Sequence, residues 1–310
     1  MNRCCIALSI LSAVIAGTAA AQERPDAFPT RAIKIVVPFP AGGPSDVLAR
    51  MIGQKMNEDW GQPVLVENRP GANTVLAAQQ VAKAAPDGYT LLMAIDSTLA
   101  MKDFAPITLT AKTMQLLIVN AASDVKTVKD LIAHAKQRPG KLNYGAGTIT
   151  TKLTGHLFNK AAGVETVLVP YNGSAEVAQA VLTKSVDFSF DGPSASLSLI
   201  QSGAFRVLAK FDPRPFPPVP DLPIITAELP NMDEITVWLG LVAPKATPAA
   251  IVDKLQAEVA KILAEPAIKA KADASGLFPA TSTPAEFSAF IRKEAQRWST
   301  VVKETEMKYD

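Results

Sequence analysis

Residues 33–52 read IKIVVPFPAGGPSDVLARMI, and this stretch decides the fold class. It begins with a β-branched run over residues 33–37, which is typical of a buried strand, and continues through a turn rich in proline and glycine. From Val47 onward the apolar residues recur at helical spacing. A strand, a glycine turn and a helix in this order are the start of a βαβ unit, so the stretch predicts an α/β protein.

The same order of strand, turn and helix returns several times along the chain, and its length indicates two domains. Roughly 290 residues remain after the first 21, which is more than one core usually organises. Prolines crowd residues 213–223 and predict a long surface connection, after which residues 235–242 form a strand that crosses back. We expect two lobes, each a mostly parallel sheet flanked by helices, with a ligand cleft between them. The first lobe comprises residues 22–120 and 240–310, and the second comprises residues 121–239.

The first 21 residues have the layout of a cleavable secretory signal. Arg3 supplies a basic start, an apolar run follows, and residues 19–21 are three alanines. Both cysteines, Cys4 and Cys5, lie inside this segment. We therefore expect an exported protein whose mature chain has no thiol to serve as nucleophile or metal ligand.

The charge of the chain is nearly balanced, with 31 basic and 29 acidic residues. A balance of this kind gives no reason to expect nucleic acid or an acidic membrane surface as a partner. No later run of 18 apolar residues predicts a membrane span, so we expect no stable membrane insertion. A small neutral or anionic solute remains as the expected ligand class.

The loop after the first strand is a candidate anion-binding site. Its two glycines allow backbone N–H groups to approach a ligand at a helix start, where the helix dipole favours negative charge. The alternative is a plain turn in which Ser45 or Asp46 caps the helix, and the spacing alone leaves both open. The candidate residues in this loop are Phe39, Ala41, Gly42, Gly43, Ser45 and Asp46.

A second glycine loop, over residues 144–151, repeats this arrangement in the second lobe. Two such loops, one in each lobe, would hold opposite ends of one ligand. The alternative is that Thr151 is an ordinary helix cap and that the other hydroxyls are solvated. The candidate residues in this loop are Gly145, Ala146, Gly147, Thr148, Thr150 and Thr151.

Further polar residues follow other predicted strands and would face the same cleft. In the second lobe these are Tyr171, Asn172 and Asp191, and in the first lobe Asp96 and Ser97. Each of these positions taken alone is more often merely the start of a capped helix.

Catalytic chemistry has few candidate residues in this sequence. The two histidines, His134 and His156, fit helices better than active-site loops. No H-E-x-x-H, G-x-S-x-G or G-K-[ST] motif occurs. We therefore expect no catalytic residue, no metal site and no cofactor.

Longer motifs carry a family resemblance. They lie at residues 35–43, 61–63, 66–72, 85–92, 103–107, 141–144, 169–171, 173–174 and 238–244, together with Asp46, Ala49 and Arg50. In these motifs, which run over nearly all of the mature chain, the sequence resembles the Bug family of periplasmic solute receptors, which serve tripartite tricarboxylate transporters. The resemblance implies a type II periplasmic binding fold whose cleft closes on a ligand carboxylate. It also implies that both glycine loops hold that carboxylate through backbone amides, hydroxyls and ordered water.

The chain departs from the family pattern in two places. The segment between Ile95 and Asp103 is shorter than usual, which puts the first-lobe wall of the cleft in doubt. The second glycine loop is about two residues short relative to the resemblance, and Lys152 stands where a histidine is usual. Lys152 is therefore either a charge-assisted ligand contact or a solvated side chain on the helix face.

The resemblance implies a monomeric periplasmic protein that captures a small carboxylate and passes it to a membrane permease. A sensor that reports the solute to a signalling partner is an alternative that the sequence does not separate from uptake. A hydrolase or transferase that uses the same cleft is a second alternative, which the scarcity of histidine and cysteine disfavours.

Overall fold

The computed structural model describes residues 27–95, 101–232 and 235–305. Its strands are β1 (Ile33–Val37), β2 (Val64–Asn68), β3 (Thr90–Ile95), β4 (Phe104–Met114), β5 (Leu116–Asn120), β6 (Asn143–Ala146), β7 (Val167–Pro170), β8 (Phe188–Asp191), β9 (Phe205–Lys210), β10 (Thr236–Pro244) and β11 (Leu277–Pro279). Its helices are α1 (Pro44–Trp60), α2 (Val75–Ala82), α3 (Val128–Gln137), α4 (Ile149–Ala162), α5 (Ser174–Leu182), α6 (Leu197–Gln201), α7 (Ile225–Glu228), α8 (Ala249–Ala264), α9 (Pro266–Ala274) and α10 (Pro284–Thr305). The quoted stretch therefore forms β1 and α1, as predicted.

The strands form two sheets, and each sheet with its helices is one unit of the fold. The first sheet has the order β11-β4-β10-β3-β1-β2, and the second has the order β7-β6-β8-β5-β9. The sequence predicts mostly parallel sheets, whereas both sheets are mixed. β10 runs antiparallel to both of its neighbours, and so does β5. Each of these two strands is the first one after the chain passes from one sheet to the other, and it enters the new sheet against the direction of the βαβ strands.

The chain changes sheet between Met114 and Leu116 and again before Thr236, whereas the sequence placed these changes after residues 120 and 239. The proline-rich stretch before the second change does more than run over the surface. Phe216 and Leu222 are buried there and pack in a core cluster of the second unit. The second unit therefore includes β5 and the proline-rich stretch.

Each sheet is apolar on both faces, because helices cover both. Along β1, Ile33, Ile35 and Val37 pack in one core cluster, whereas Val36 packs in another on the opposite face. Alternate side chains of β5 likewise pack in two further core clusters. Burial on both faces explains the continuous β-branched runs in the sequence. It also leaves the strand ends, where helices begin, as the positions available to a ligand.

Candidate functional site

A cavity of about 40 Å³ lies between the two units, and residues from both sheets line it. The cavity is lined by Phe39, Gly43, Pro44, Ser45, Ile95, Thr113, Met114, Gln115, Thr148, Thr151, Ser174, Asp191, Gly192, Val237 and Leu239.

Three helices begin at this cavity. Ser45 lies in the first turn of α1, Thr148 is the N-cap of α4, and Ser174 is the first residue of α5. The first-turn amides of a helix have no acceptor within the helix, and the helix dipole places partial positive charge at that end. The cavity is therefore surrounded by backbone donors that favour an anion.

The first glycine loop is fixed by Asp46, whose carboxylate is fully engaged. Its Oδ2 accepts hydrogen bonds from the Gly42 amide and from Arg50 Nε, both at 3.0 Å. Its Oδ1 lies 2.9 Å from Asn68 Nδ2 and 2.9 Å from Arg50 Nη2. Burial raises the pKa of Asp46, but the hydrogen bonds from Arg50, Gly42 and Asn68 outweigh it and hold that pKa below its usual value. Asp46 therefore holds the loop in shape and does not line the cavity.

The start of α1 has no side-chain cap, contrary to the reading in which Ser45 or Asp46 caps it. Gly43 is the N-cap residue, and no side chain accepts a hydrogen bond from the first turn there. Pro44 at the first helical position has no N–H to satisfy. Ser45 is 3% exposed and lines the cavity. This combination leaves the Ser45 amide free of intrahelical acceptors at the cavity wall.

The second glycine loop ends in a capping box, which is the local alternative that the sequence left open. The Thr151 amide donates to Thr148 Oγ1 at 3.1 Å, and the Thr148 amide donates to Thr151 Oγ1 at 3.0 Å. The N-cap is Thr148, however, and Thr151 is the third residue of the helix. Both threonines line the cavity, so the start of α4 lies at its wall.

The end of β8 brings a buried carboxylate to the cavity. Asp191 is 4% exposed, and its Oδ1 accepts hydrogen bonds from Ser174 Oγ at 2.5 Å and from the Gly192 amide at 2.7 Å. Within the part of the chain that the structure describes, its Oδ2 has no hydrogen-bond partner. Burial raises the pKa of Asp191 to about 6, although the hydrogen bonds from Ser174 and Gly192 oppose this shift.

Several predicted site residues lie outside the cavity lining. Gly147 packs against the backbone of Gly173, where an added Cβ would come within 2.6 Å of the carbonyl carbon. The Asn172 amide donates to Glu176 Oε2 at 3.1 Å. The Lys152 carbonyl accepts a hydrogen bond from the Tyr144 hydroxyl at 3.2 Å. The predicted residues outside the lining are Ala41, Gly42, Asp46, Gly145, Ala146, Gly147, Thr150, Lys152, Tyr171 and Asn172.

Asp96 and Ser97 lie outside the described residues. The predicted residues that do line the cavity are Phe39, Gly43, Ser45, Thr148, Thr151 and Asp191. The structure adds further lining residues to these. Ser174 had a signal, since it follows a glycine at a helix start. Gln115 lacked one, because it lies in the one-residue link between β4 and β5.

The two units are in direct contact around the cavity. An added Cβ at Gly173 would lie 3.1 Å from Pro40 Cδ, and one at Gly192 would lie 3.2 Å from Pro44 Cγ. Ser194 Oγ donates to the Ser275 carbonyl at 3.1 Å. These contacts join loops of the second unit to the first unit, so the cleft is closed.

The histidines do not contribute to the site. His134 lies on α3 with its Nδ1 3.4 Å from Arg138 Nη2, and His156 lies on α4. Neither is a lining residue. Within residues 27–95, 101–232 and 235–305, no group of three or more His, Cys, Asp and Glu side chains is placed to hold a metal ion. In the same ranges, no helix has the length and hydropathy needed to cross a membrane.

Comparison with known proteins gives consistent matches. The model of the tripartite tricarboxylate transporter family receptor matches residues 48–307. BugT of Bordetella pertussis is 31% identical, over 92% of this chain and 93% of BugT. The structure of R. palustris Rpa4515 with adipate superposes with a TM-score of 0.86 at 33% identity, covering 90% of this chain and 98% of that one. MatC from Rhodopseudomonas palustris with bound malate gives a TM-score of 0.80 at 30% identity, covering 89% and 100%.

These matches agree with the architecture of two α/β units that enclose a cavity between them. The family model covers most of the chain, and BugT matches this chain over almost its whole length. The protein therefore belongs to the tripartite tricarboxylate transporter receptor family, as its resemblance to the Bug receptors predicts.

Proposed function

We propose that this protein is a periplasmic receptor that captures a small carboxylate between its two units, releases it unchanged and presents it to a membrane permease. The observation that carries the proposal is the convergence of the starts of α1, α4 and α5 on one cavity. Lysine and arginine do not occur among the described lining residues. Backbone amides and helix dipoles are then the groups that hold the anion. The related structures with adipate and with malate support this ligand class.

The mechanism is a shift of population toward the closed form. A ligand that touches the first turn of α1 and the capping box of α4 gains its full contacts only when the units close. The contacts of Gly173 and Gly192 with the first unit are made in that closed form. The chain crosses between the units at the link between β4 and β5 and again between β9 and β10. In this proposal the two sheet units are the lobes, and the permease recognises their closed arrangement.

Export, processing and oligomeric state are parts of the same proposal. Removal of residues 1–21 leaves Gln22 as the first residue of the periplasmic protein. N-terminal sequencing of the exported protein and sedimentation analysis check the cleavage site and the expected monomer. A chain that keeps residues 1–21 after export contradicts the processing step and leaves the ligand site unaffected.

The test of the binding function is a thermal-shift screen of the purified mature protein with succinate, malate, adipate, aspartate and citrate. A ligand at a hundred times its dissociation constant adds about 2.7 kcal/mol to the free energy of unfolding. NMR of the bound acid after release checks that it is unchanged. A flat screen across these acids contradicts the proposal.

A matched pair of variants locates the binding site. Thr148 and Thr127 both form capping boxes, but Thr148 lines the cavity and Thr127 caps α3 outside it. Each Thr→Val substitution lowers the free energy of unfolding by about 1 kcal/mol, because a helix cap is lost. We expect only Thr148→Val to weaken ligand binding, by about tenfold, as measured by calorimetry. Equal weakening by both variants contradicts the assignment of this cavity.

A further inference from the structure

Asp191 is a buried carboxylate with one oxygen engaged and one oxygen free. Ser174 and Gly192 donate to Oδ1, and they fix the orientation of the carboxylate plane. Oδ2 has no hydrogen-bond partner, and the residue lines the cavity. A buried acceptor without a partner is costly in a folded protein, so an unpaired oxygen at a cavity wall indicates a place for a donor.

The described part of the cavity lining offers no counter-charge to Asp191. Among the described residues that line the cavity, it is the one ionisable side chain. Because burial raises its pKa only to about 6, Asp191 is mostly ionised at pH 7. An ionised carboxylate repels the carboxylate of a guest unless something with a hydrogen to donate stands between them. The guest itself is the candidate for that donor.

Gln115 provides the complementary group on the same cavity. It lines the cavity beside the start of β5, and its Nε2 has no hydrogen-bond partner among the described residues. Two residues of the lining therefore carry a buried unpaired polar atom, a donor at Gln115 and an acceptor at Asp191. A carboxylate with a hydroxyl or ammonium group on a neighbouring carbon offers the matching acceptor and donor.

We infer that Asp191 is a specificity-determining residue that accepts a hydrogen bond from the ligand, so that the protein prefers carboxylates bearing a hydroxyl or ammonium group over the same acids without one. This inference rests on the proposed carboxylate-binding function and names the ligand class of that site. The acceptor role follows from the geometry, since Oδ1 is already occupied by two donors, whereas Oδ2 has no donor among the described residues and belongs to a side chain of the cavity lining.

The informative variant is Asp191→Asn, because the local hydrogen bonds dictate how the new amide lies. Ser174 and Gly192 both donate, so they hold the amide oxygen at the position of Oδ1. The amide nitrogen then takes the position of Oδ2 and places a donor where the wild-type protein has an acceptor. The variant thus exchanges an acceptor for a donor with almost no change of shape.

The experiment is titration calorimetry at pH 7.5 with two matched sets of acids. The first set is succinate, malate and aspartate, and the second set is glutarate, 2-hydroxyglutarate and glutamate. The set with the tighter binder is used for the comparison. We expect the wild-type protein to bind the hydroxy or amino acid at least tenfold more tightly than the unsubstituted acid. Comparison of the hydroxy acid with the amino acid in each set shows whether the ligand donates from a hydroxyl or from an ammonium group. We expect Asp191→Asn to abolish or invert this preference.

Asp212→Asn is the control for a general effect of losing a buried carboxylate. Asp212 is 2% exposed, pairs with Arg214 and does not line the cavity. We expect this variant to keep the wild-type preference among the acids, whatever it does to stability. If Asp212→Asn changes the preference as much as Asp191→Asn does, the role assigned to Asp191 is wrong.

Two other results overturn the inference and leave the proposed function standing. One is equal binding of substituted and unsubstituted acids by the wild-type protein, with both weakened alike in Asp191→Asn. The other is a preference for the unsubstituted acid that strengthens as the pH falls below 6, which would make protonated Asp191 the donor. Absence of binding by every acid, in contrast, removes the proposed function together with the inference.

Discussion

Two buried aspartates, one in the first turn of α1 and one at the end of β8, have opposite surroundings. Asp46 and Asp191 are 3% and 4% exposed, and each accepts a hydrogen bond from a glycine amide. Asp46 has Arg50 and Asn68 as further donors, and its pKa is lowered. Asp191 has Ser174 as its one further donor among the described residues, and its pKa is raised to about 6 by burial.

The difference separates a residue that serves the fold from one that serves the ligand. A carboxylate whose oxygens are all engaged has no capacity left for a guest, so its contribution is to fix the loop. A carboxylate with an unpaired oxygen at a cavity wall is held in a costly state that a ligand can relieve. Equal burial therefore does not imply an equal role, and the count of donors to each oxygen decides between the two.

The largest expected effect comes from replacing Asp46, the aspartate whose two oxygens both accept hydrogen bonds. Asp46→Ala leaves Arg50, Asn68 and the Gly42 amide without their shared acceptor. Loss of one partner of a buried pair costs about 3–5 kcal/mol, and we expect about 3 kcal/mol because the Arg50 side chain is 52% exposed. Urea denaturation of the wild-type protein and the variant measures this difference. A loss below about 1 kcal/mol contradicts the structural role of Asp46.

The pH dependence of the same variant tests the sign of the pKa shift. An unfolded aspartate titrates at about pH 3.9, and folded Asp46 titrates lower. Its contribution is therefore fully present above about pH 4 and is lost as the pH falls through the folded value. We expect the gap in stability between the wild-type protein and Asp46→Ala to narrow as the pH falls below about 4. A gap that stays constant over this range contradicts the lowered pKa.

The effect of replacing Asp191 on the free energy of unfolding is smaller than that of replacing Asp46, and it raises stability instead of lowering it. The pKa of Asp191 is about 6 when folded and about 3.9 when unfolded, so the folded state binds its proton more tightly. The stability of the wild-type protein therefore falls as the pH rises from about 4 to about 6. We expect Asp191→Asn without ligand to be more stable than the wild-type protein by about 2 kcal/mol at pH 7 and equally stable near pH 4. Thermal unfolding across this range checks the prediction, and a variant that is less stable at pH 7 contradicts it.

The local parts of the fold were predictable from sequence, whereas the joining of its units was not. The strand, glycine turn and helix of residues 33–52 depend on neighbours within a few positions, and the structure confirms them. The strand β4 was missed, because Thr108, Thr110 and Thr113 interrupt its apolar pattern, although all three are buried. Without β4, the change of sheet at residue 115 and the mixed direction of the strands could not be inferred.

The candidate site, like the fold, was predictable from sequence in its local parts and not in its long-range contacts. The starts of α1 and α4 were identified from glycines and hydroxyls, and both lie at the cavity. The roles of Asp46 and Asp191 were not separable, because Asn68 is 22 positions from Asp46 and Ser174 is 17 positions from Asp191. Only the folded chain shows which oxygen has a partner.

The smallest expected effects separate the two glycines that donate to these aspartates. Gly42 has a φ of +91° and nothing near its missing Cβ, whereas an added Cβ at Gly192 would lie 3.2 Å from Pro44 Cγ of the other unit. Gly42→Ala is strained in the backbone, so we expect a loss of about 1 kcal/mol in the free energy of unfolding and unchanged ligand affinity. Gly192→Ala crowds the contact that forms on closing, and we expect about threefold weaker binding, or about 0.6 kcal/mol, with nearly wild-type stability. Denaturation and calorimetry on both variants make the comparison. If Gly192→Ala loses stability and keeps its affinity, the contact with Pro44 belongs to the fold and not to closure.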